Sequence, residues 1–170
     1  QELRPPVRRE HRTRPDWTLV PLHPILAAAY PVIFLFALNV AEQVTLAPLW
    51  LPLGLATAGA AAILAILGLL LRSWQRAALL TTILAAGFFG YGHAWVAASE
   101  ILDSQWPLIV AWLLAVGIGL LLAWRIGPLR LRTATRALNA ITLFLVVLNL
   151  TTVLAARPVQ AGESAPQELT

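Results

Sequence analysis

The stretch GLATAGAAAILAILGLLL, residues 54–71, decides the fold. It holds eighteen residues with no charge and one hydroxyl, and it stops at the basic turn RSWQR, residues 72–76. At ~1.5 Å of rise per residue it makes a helix about 27 Å long, close to the ~30 Å of a bilayer's hydrocarbon core. Its apolar residues form neither a one-sided stripe nor an alternation, so neither a soluble amphipathic helix nor a half-buried strand accounts for it. A membrane-spanning helix does.

Working outward, four more apolar runs share this character, at residues 24–40, 77–96, 107–124 and 138–155. The whole chain is 59% hydrophobic and only 12% charged, about half the charge usual for a soluble domain. The expectation is an all-α, polytopic integral membrane protein with five transmembrane helices over residues 24–155. An Arg- and Pro-rich arm precedes them at residues 1–23, and a tail or linker of Pro, Gly, Ser and Glu comes after them at residues 156–170. Connections of about 5–13 residues make consecutive helices antiparallel. Pro24 suits the first turn of a helix, where its missing N–H costs nothing. Pro31 lies deeper and is expected to kink the first helix. A cleaved signal peptide is the rival reading of residues 1–43. Its apolar stretch would span ~7–15 residues before a small-residue cleavage site, whereas this run is longer and passes into Asn39, Glu42 and Gln43.

Charge orients the bundle. With a cytoplasmic N-terminus, the inside segments are 1–23, 72–76 and 125–137, and they hold eleven of the twelve arginines. The outside segments, 43–53, 97–106 and 156–170, hold only Arg157. Basic residues in short loops near helix ends mark the cytoplasmic side, so the C-terminus is expected outside. Trp17, Trp50, Trp74, Trp95, Trp106 and Trp124 fall near the expected helix ends, where indoles favour the interface; only Trp112 lies deeper. All twelve basic residues are Arg and none is Lys, which reads as the coding bias of a GC-rich bacterium. The expected location is a bacterial inner membrane. The chain has no Cys, which removes disulfide and thiol chemistry. It begins at Gln1 and has no Met, so a processed N-terminus or a longer parent polypeptide is expected.

Polar groups at membrane depth are costly and are candidate functional residues for that reason. Asn39, Glu42 and Gln43 end the first helix, Tyr91 and His93 close the third, and Asn139 and Asn149 lie in the fifth. The helix directions bring the first two sets to the same outer layer, so a polar cluster of Asn39, Glu42, Tyr91 and His93 is expected. Such a cluster serves either as an interhelical clasp, at roughly 0.6–2 kcal/mol, or as a proton-relay or ligand site. One His and one Glu are few for a proton path, which favours the clasp. A bis-His haem needs a second histidine at the depth of His93, and His11 and His23 lie toward the opposite side. No cofactor, metal or catalytic residue is expected. Gly87, Gly90, Gly92, Gly117 and Gly119 leave helix surfaces bare for close packing. Arg4, Arg8, Arg9, Arg12 and Arg14 of the arm are expected to contact anionic lipid headgroups, at ~1 kcal/mol each.

Three stretches carry a family resemblance. Tyr30-Pro31-Val32 with Phe34-Leu35 and Asn39, then Phe88-Phe89 with Tyr91-Gly92-His93, then Leu138-Asn139 together resemble the membrane region of bacterial membrane-bound sulfatase-like hydrolases of the alkaline phosphatase superfamily. The resemblance implies a multi-helix anchor preceding an extracytoplasmic catalytic domain. That domain carries the family's metal ligands and nucleophile and is not in this sequence, so no catalytic residue carries over. The expected function is therefore non-catalytic membrane anchoring. The alternative is an accessory structural subunit of a larger respiratory or photosynthetic complex, held among other membrane subunits. A transporter is weaker, since the two halves contain no matched broken helices.

The clasp is tested by Glu42→Gln in detergent: a lowered melting temperature is expected, and an unchanged one would remove Glu42 from any clasp.

Overall fold

The computed structural model describes residues 17–40 and 45–163, with side chains from 18–40 and 45–155. A 3-10 turn at Trp17–Leu19 leads into α1 (His23–Leu38), α2 (Ala47–Leu71), α3 (Trp74–Ala98), α4 (Trp106–Arg125) and α5 (Pro128–Glu163). Four of these are long and apolar enough to cross a membrane: α2, α3, α4 and the Pro128–Ala155 part of α5. The chain is thus an all-α, multi-span integral membrane protein.

The fold departs from the sequence expectation in four places. First, α1 has 16 residues, about 24 Å at the standard rise, and is shorter than a full crossing. Second, residues 47–53 are helical where a loop is expected. Pro48 sits in the opening turn of α2, and Pro52 comes so soon after it that it disturbs only the carbonyl of that turn. Leu49 is buried there against Phe36 and Ala37 of α1 and Val153 of α5, so burial outweighs the local turn signal. Third, the expected basic loop before the fifth helix is helical from Pro128. Leu131 and Thr135 are buried while Arg130, Arg132 and Arg136 are exposed. The segment is amphipathic, and a hydropathy run cut at the first charge misses it. Fourth, the expected tail enters this helix, which continues to Glu163.

α1 and α3 form the centre. α1 packs on α2, α3 and α5, and α3 packs on α1, α2, α4 and α5. On α1 the inward face is Pro24, Ala28, Ala29, Ile33, Phe36 and Ala37, with small residues midway that let neighbours approach. α2 closes through Arg72 in the left-handed region, with φ 49°, a conformation that costs a non-glycine residue ~1–2 kcal/mol. Ser73 is then extended and α3 begins at once. The Trp74 ring folds back over Gly68, where a Cβ would lie 2.6 Å from the indole.

α4 packs on α3 through glycines. A Cβ on Gly87 would meet Val116 at 2.8 Å, and one on Gly90 would meet Trp112 at 3.2 Å. The bare backbone lets the Trp112 indole N–H donate to the Gly87 carbonyl at 2.8 Å. Gly119 faces Ile83 at ordinary contact distance, whereas Gly92 and Gly117 face open space. Only part of the expected small-residue packing is therefore made.

This contrast yields a paired test. Gly87→Ala should lower thermal stability in detergent, because β-branched Val116 has little freedom to yield. Gly117→Ala should be neutral or stabilising, by up to ~1 kcal/mol from helix propensity. Equal effects would show that α4 does not depend on the Gly87 contact.

Candidate functional site

The site best defined by its chemistry is the entry to α1. The helix has no side-chain cap of its own at Leu22. Its first N–H groups are instead satisfied from α5: Asn139 Oδ1 accepts from the backbone N–H of Leu22 at 3.1 Å and of His23 at 2.9 Å. The same side chain donates through Nδ2 to the carbonyls of Val20 at 2.8 Å and Thr18 at 3.4 Å. One amide thus engages both its acceptor and its donors on a single stretch of backbone. Arg136, one turn earlier on α5, donates from Nε to the Thr18 hydroxyl at 3.0 Å. Backbone that leaves regular structure needs partners for its N–H and C=O groups, and Asn139 supplies them here.

His23 enters the bundle beside this clamp. Its side chain is fully buried, and Nδ1 lies 2.6 Å from the Thr82 hydroxyl of α3. Nε2 is buried with no hydrogen-bond partner among the described residues. His23 and Asn139 together tie α1 to both α3 and α5. The sequence places His23 toward the side opposite His93; the structure adds that it is buried between helices. The only signal in the sequence is His-Pro at the head of an apolar run, which marks a helix start and not a burial.

Past Thr82 lies a cavity of about 430 Å³ between α1, α3 and α5. Tyr30, Pro31, Phe34, Phe89, Gly90 and His93 are among its lining residues, with Thr82 and Thr142 the hydroxyl-bearing ones beside Tyr30. The Thr142 hydroxyl donates to the Leu138 carbonyl at 2.7 Å. The wall is therefore mainly apolar and aromatic.

The expected outer cluster divides. Asn39 donates to the Leu35 carbonyl of its own helix at 2.7 Å. His93 meets Phe34 of α1 edge-on, with ring centroids 6.3 Å apart. Tyr91 faces the other way, against Trp112 of α4 at 6.4 Å, and its hydroxyl is buried with no partner among the described residues. Glu42 lies outside the described residues, as do Arg4, Arg8, Arg9, Arg12 and Arg14. Asn149 donates to the Leu145 carbonyl at 2.8 Å. At the opposite end, Arg76 donates to the Ile126 carbonyl at 3.3 Å and lies 5.5 Å from the Trp124 ring centroid, joining the start of α3 to the end of α4. Among the described residues no group of three or more His, Cys, Asp or Glu side chains is placed to hold a metal ion.

No family model matches the chain, and no curated protein and no solved structure matches it.

Asn139→Leu should be among the most damaging single substitutions. It removes all four hydrogen bonds, leaving the part-buried His23 N–H without its Asn139 acceptor; a buried group left unpaired costs ~1–3 kcal/mol. Asn139→Asp keeps the acceptor but loses the donor, so it should destabilise less. Melting temperatures in detergent give the order, and equal loss in both variants would show that the N–H contacts contribute nothing.

Proposed function

We propose that this chain is a non-catalytic membrane-anchoring domain that crosses a bacterial inner membrane five times, N-terminus inside and C-terminus outside. The observation that carries the reading is the use made of its intramembrane polar groups. Asn139, Trp112, Thr82 with His23, Asn149 and Asn39 engage helix backbone or one another. They hold helices together and do not converge on a shared polar path. In this reading α1 completes its crossing with the clamped segment that precedes it, residues 17–22. The arginine arm contacts anionic headgroups of the cytoplasmic leaflet, where each basic residue contributes ~1 kcal/mol.

The resemblance to sulfatase-like hydrolases extends the proposal to what the anchor holds. Its first and second stretches line one cavity, through Tyr30, Pro31 and Phe34 on one side and Phe89 and His93 on the other. Asn139, from the third, caps the same helix. The three stretches thus act on α1 together, as the common core of an anchor would. An accessory subunit of a larger membrane complex is the second reading. It draws on α4, which packs on α3 and turns most of its length outward, with Ala123 its only buried residue.

The deciding measurement is the mass of the protein isolated from its native membrane, with peptide sequencing toward the C-terminus. Peptides continuing past Thr170 into a soluble extracytoplasmic domain are the expected result. A mass near 18.4 kDa would overturn the anchor and favour the accessory subunit.

A further inference from the structure

At the arginine-rich end of the bundle, the chain turns from α4 into α5 through Ile126 and Gly127, and a cleft of about 530 Å³ opens beside the turn. Arg125 ends α4 and Arg130 lies in the first turn of α5; both line the cleft and both are exposed. Neither has a hydrogen bond or ion pair among the described residues. The remaining wall is apolar, chiefly Leu122 and Leu129. The Ile126 carbonyl at the turn is engaged by Arg76. From residue 125 to 137 the chain carries four Arg and no acid. Trp124 beside the cleft is half exposed, in keeping with an indole at a membrane interface.

We infer that this cleft binds the phosphodiester headgroup of an anionic phospholipid, with Arg125 and Arg130 on the phosphate oxygens and an acyl chain along Leu122 and Leu129. Two arginines from different helices line a shared space, and guanidinium forks match phosphate oxygens in number and geometry. The apolar wall distinguishes a lipid from a soluble anion, because only a lipid satisfies both halves of the cleft. The turn also lies where headgroups lie, between two helices that cross the hydrocarbon core. The inference needs only that this end be interfacial; it is independent of the anchoring role and of any chain beyond residue 170.

Native mass spectrometry of the full chain in detergent tests it, with phosphatidylglycerol and phosphatidylcholine of matched acyl chains as probes. Wild type should retain one phosphatidylglycerol in preference to phosphatidylcholine. Arg125→Gln with Arg130→Gln should weaken that retention about twenty-five-fold, at roughly fivefold per arginine. Arg132→Gln is the control. That exposed arginine lies two positions beyond Arg130, on another face of α5, and its substitution should leave retention unchanged. Neither the double variant nor the control should shift the melting temperature. Retention unchanged in the double variant, or equal loss in the Arg132 control, would overturn the site. Displacement of the lipid by excess inorganic phosphate would make it a soluble-anion site and overturn the assignment to lipid.

Discussion

A backbone N–H or C=O that leaves regular structure needs a partner to replace its ladder bond, and this constraint bears hardest where α1 begins. The residues before it leave regular structure while still beside the bundle, so their polar groups need partners from elsewhere in the protein. Asn139 supplies four contacts on residues 18–23 from a helix more than a hundred residues away. With that stretch pinned, His23 is drawn inside to reach Thr82. The short α1 can then sit at the centre among longer neighbours. Its length would be a defect for a lipid-exposed span. For a helix flanked by α2, α3 and α5 it is not.

The rest of the bundle obeys a different rule. Between helices in lipid there is little hydrophobic driving force, because acyl chains are as apolar as leucine, and close packing with selected hydrogen bonds takes its place. The α3–α4 contact shows both parts. Gly87 and Gly90 remove side chains so that Val116 and Trp112 can seat, and the indole N–H finds the Gly87 carbonyl thus uncovered. Elsewhere α4 turns Leu113, Leu114, Leu121 and Leu122 outward, as a lipid-facing helix should. Extensive apolar exposure that would be a liability in water is here the solvent-matched surface.

The polar residues sort by the same logic. Asn39 and Asn149 each donate to a carbonyl of their own helix, which lowers their cost without linking helices among the described residues. Asn139, His23 and Trp112 reach across helices and link them. Among the described residues the arginines collect at the end where α1 enters, α2 meets α3 and α4 meets α5, and there Arg76 and Arg136 bond to neighbouring segments while Arg125 and Arg130 are exposed.

The sequence by itself determined the solvent and the all-helical class. Uncharged runs such as residues 54–71 have no other stable home, and the arginine distribution groups the helix ends into two sides. It also marked the tryptophans as terminal, and most are: Trp74 and Trp106 open α3 and α4, and Trp124 nearly closes α4. Hydropathy could not place the boundaries of α2 and α5, since Pro48, Pro52 and the arginines of 130–136 break an apolar run without breaking a helix. Nor could it show which polar residues meet. His93 and Tyr91 stand two apart on α3, and that spacing turns them to opposite neighbours, Phe34 and Trp112. Asn139 and His23 are far apart in sequence, and only the packing of α5 on α1 joins them. Transfer free energy is a local property of each segment and is legible in its composition. A hydrogen bond between helices depends on rotation and register, which are set only when the helices pack.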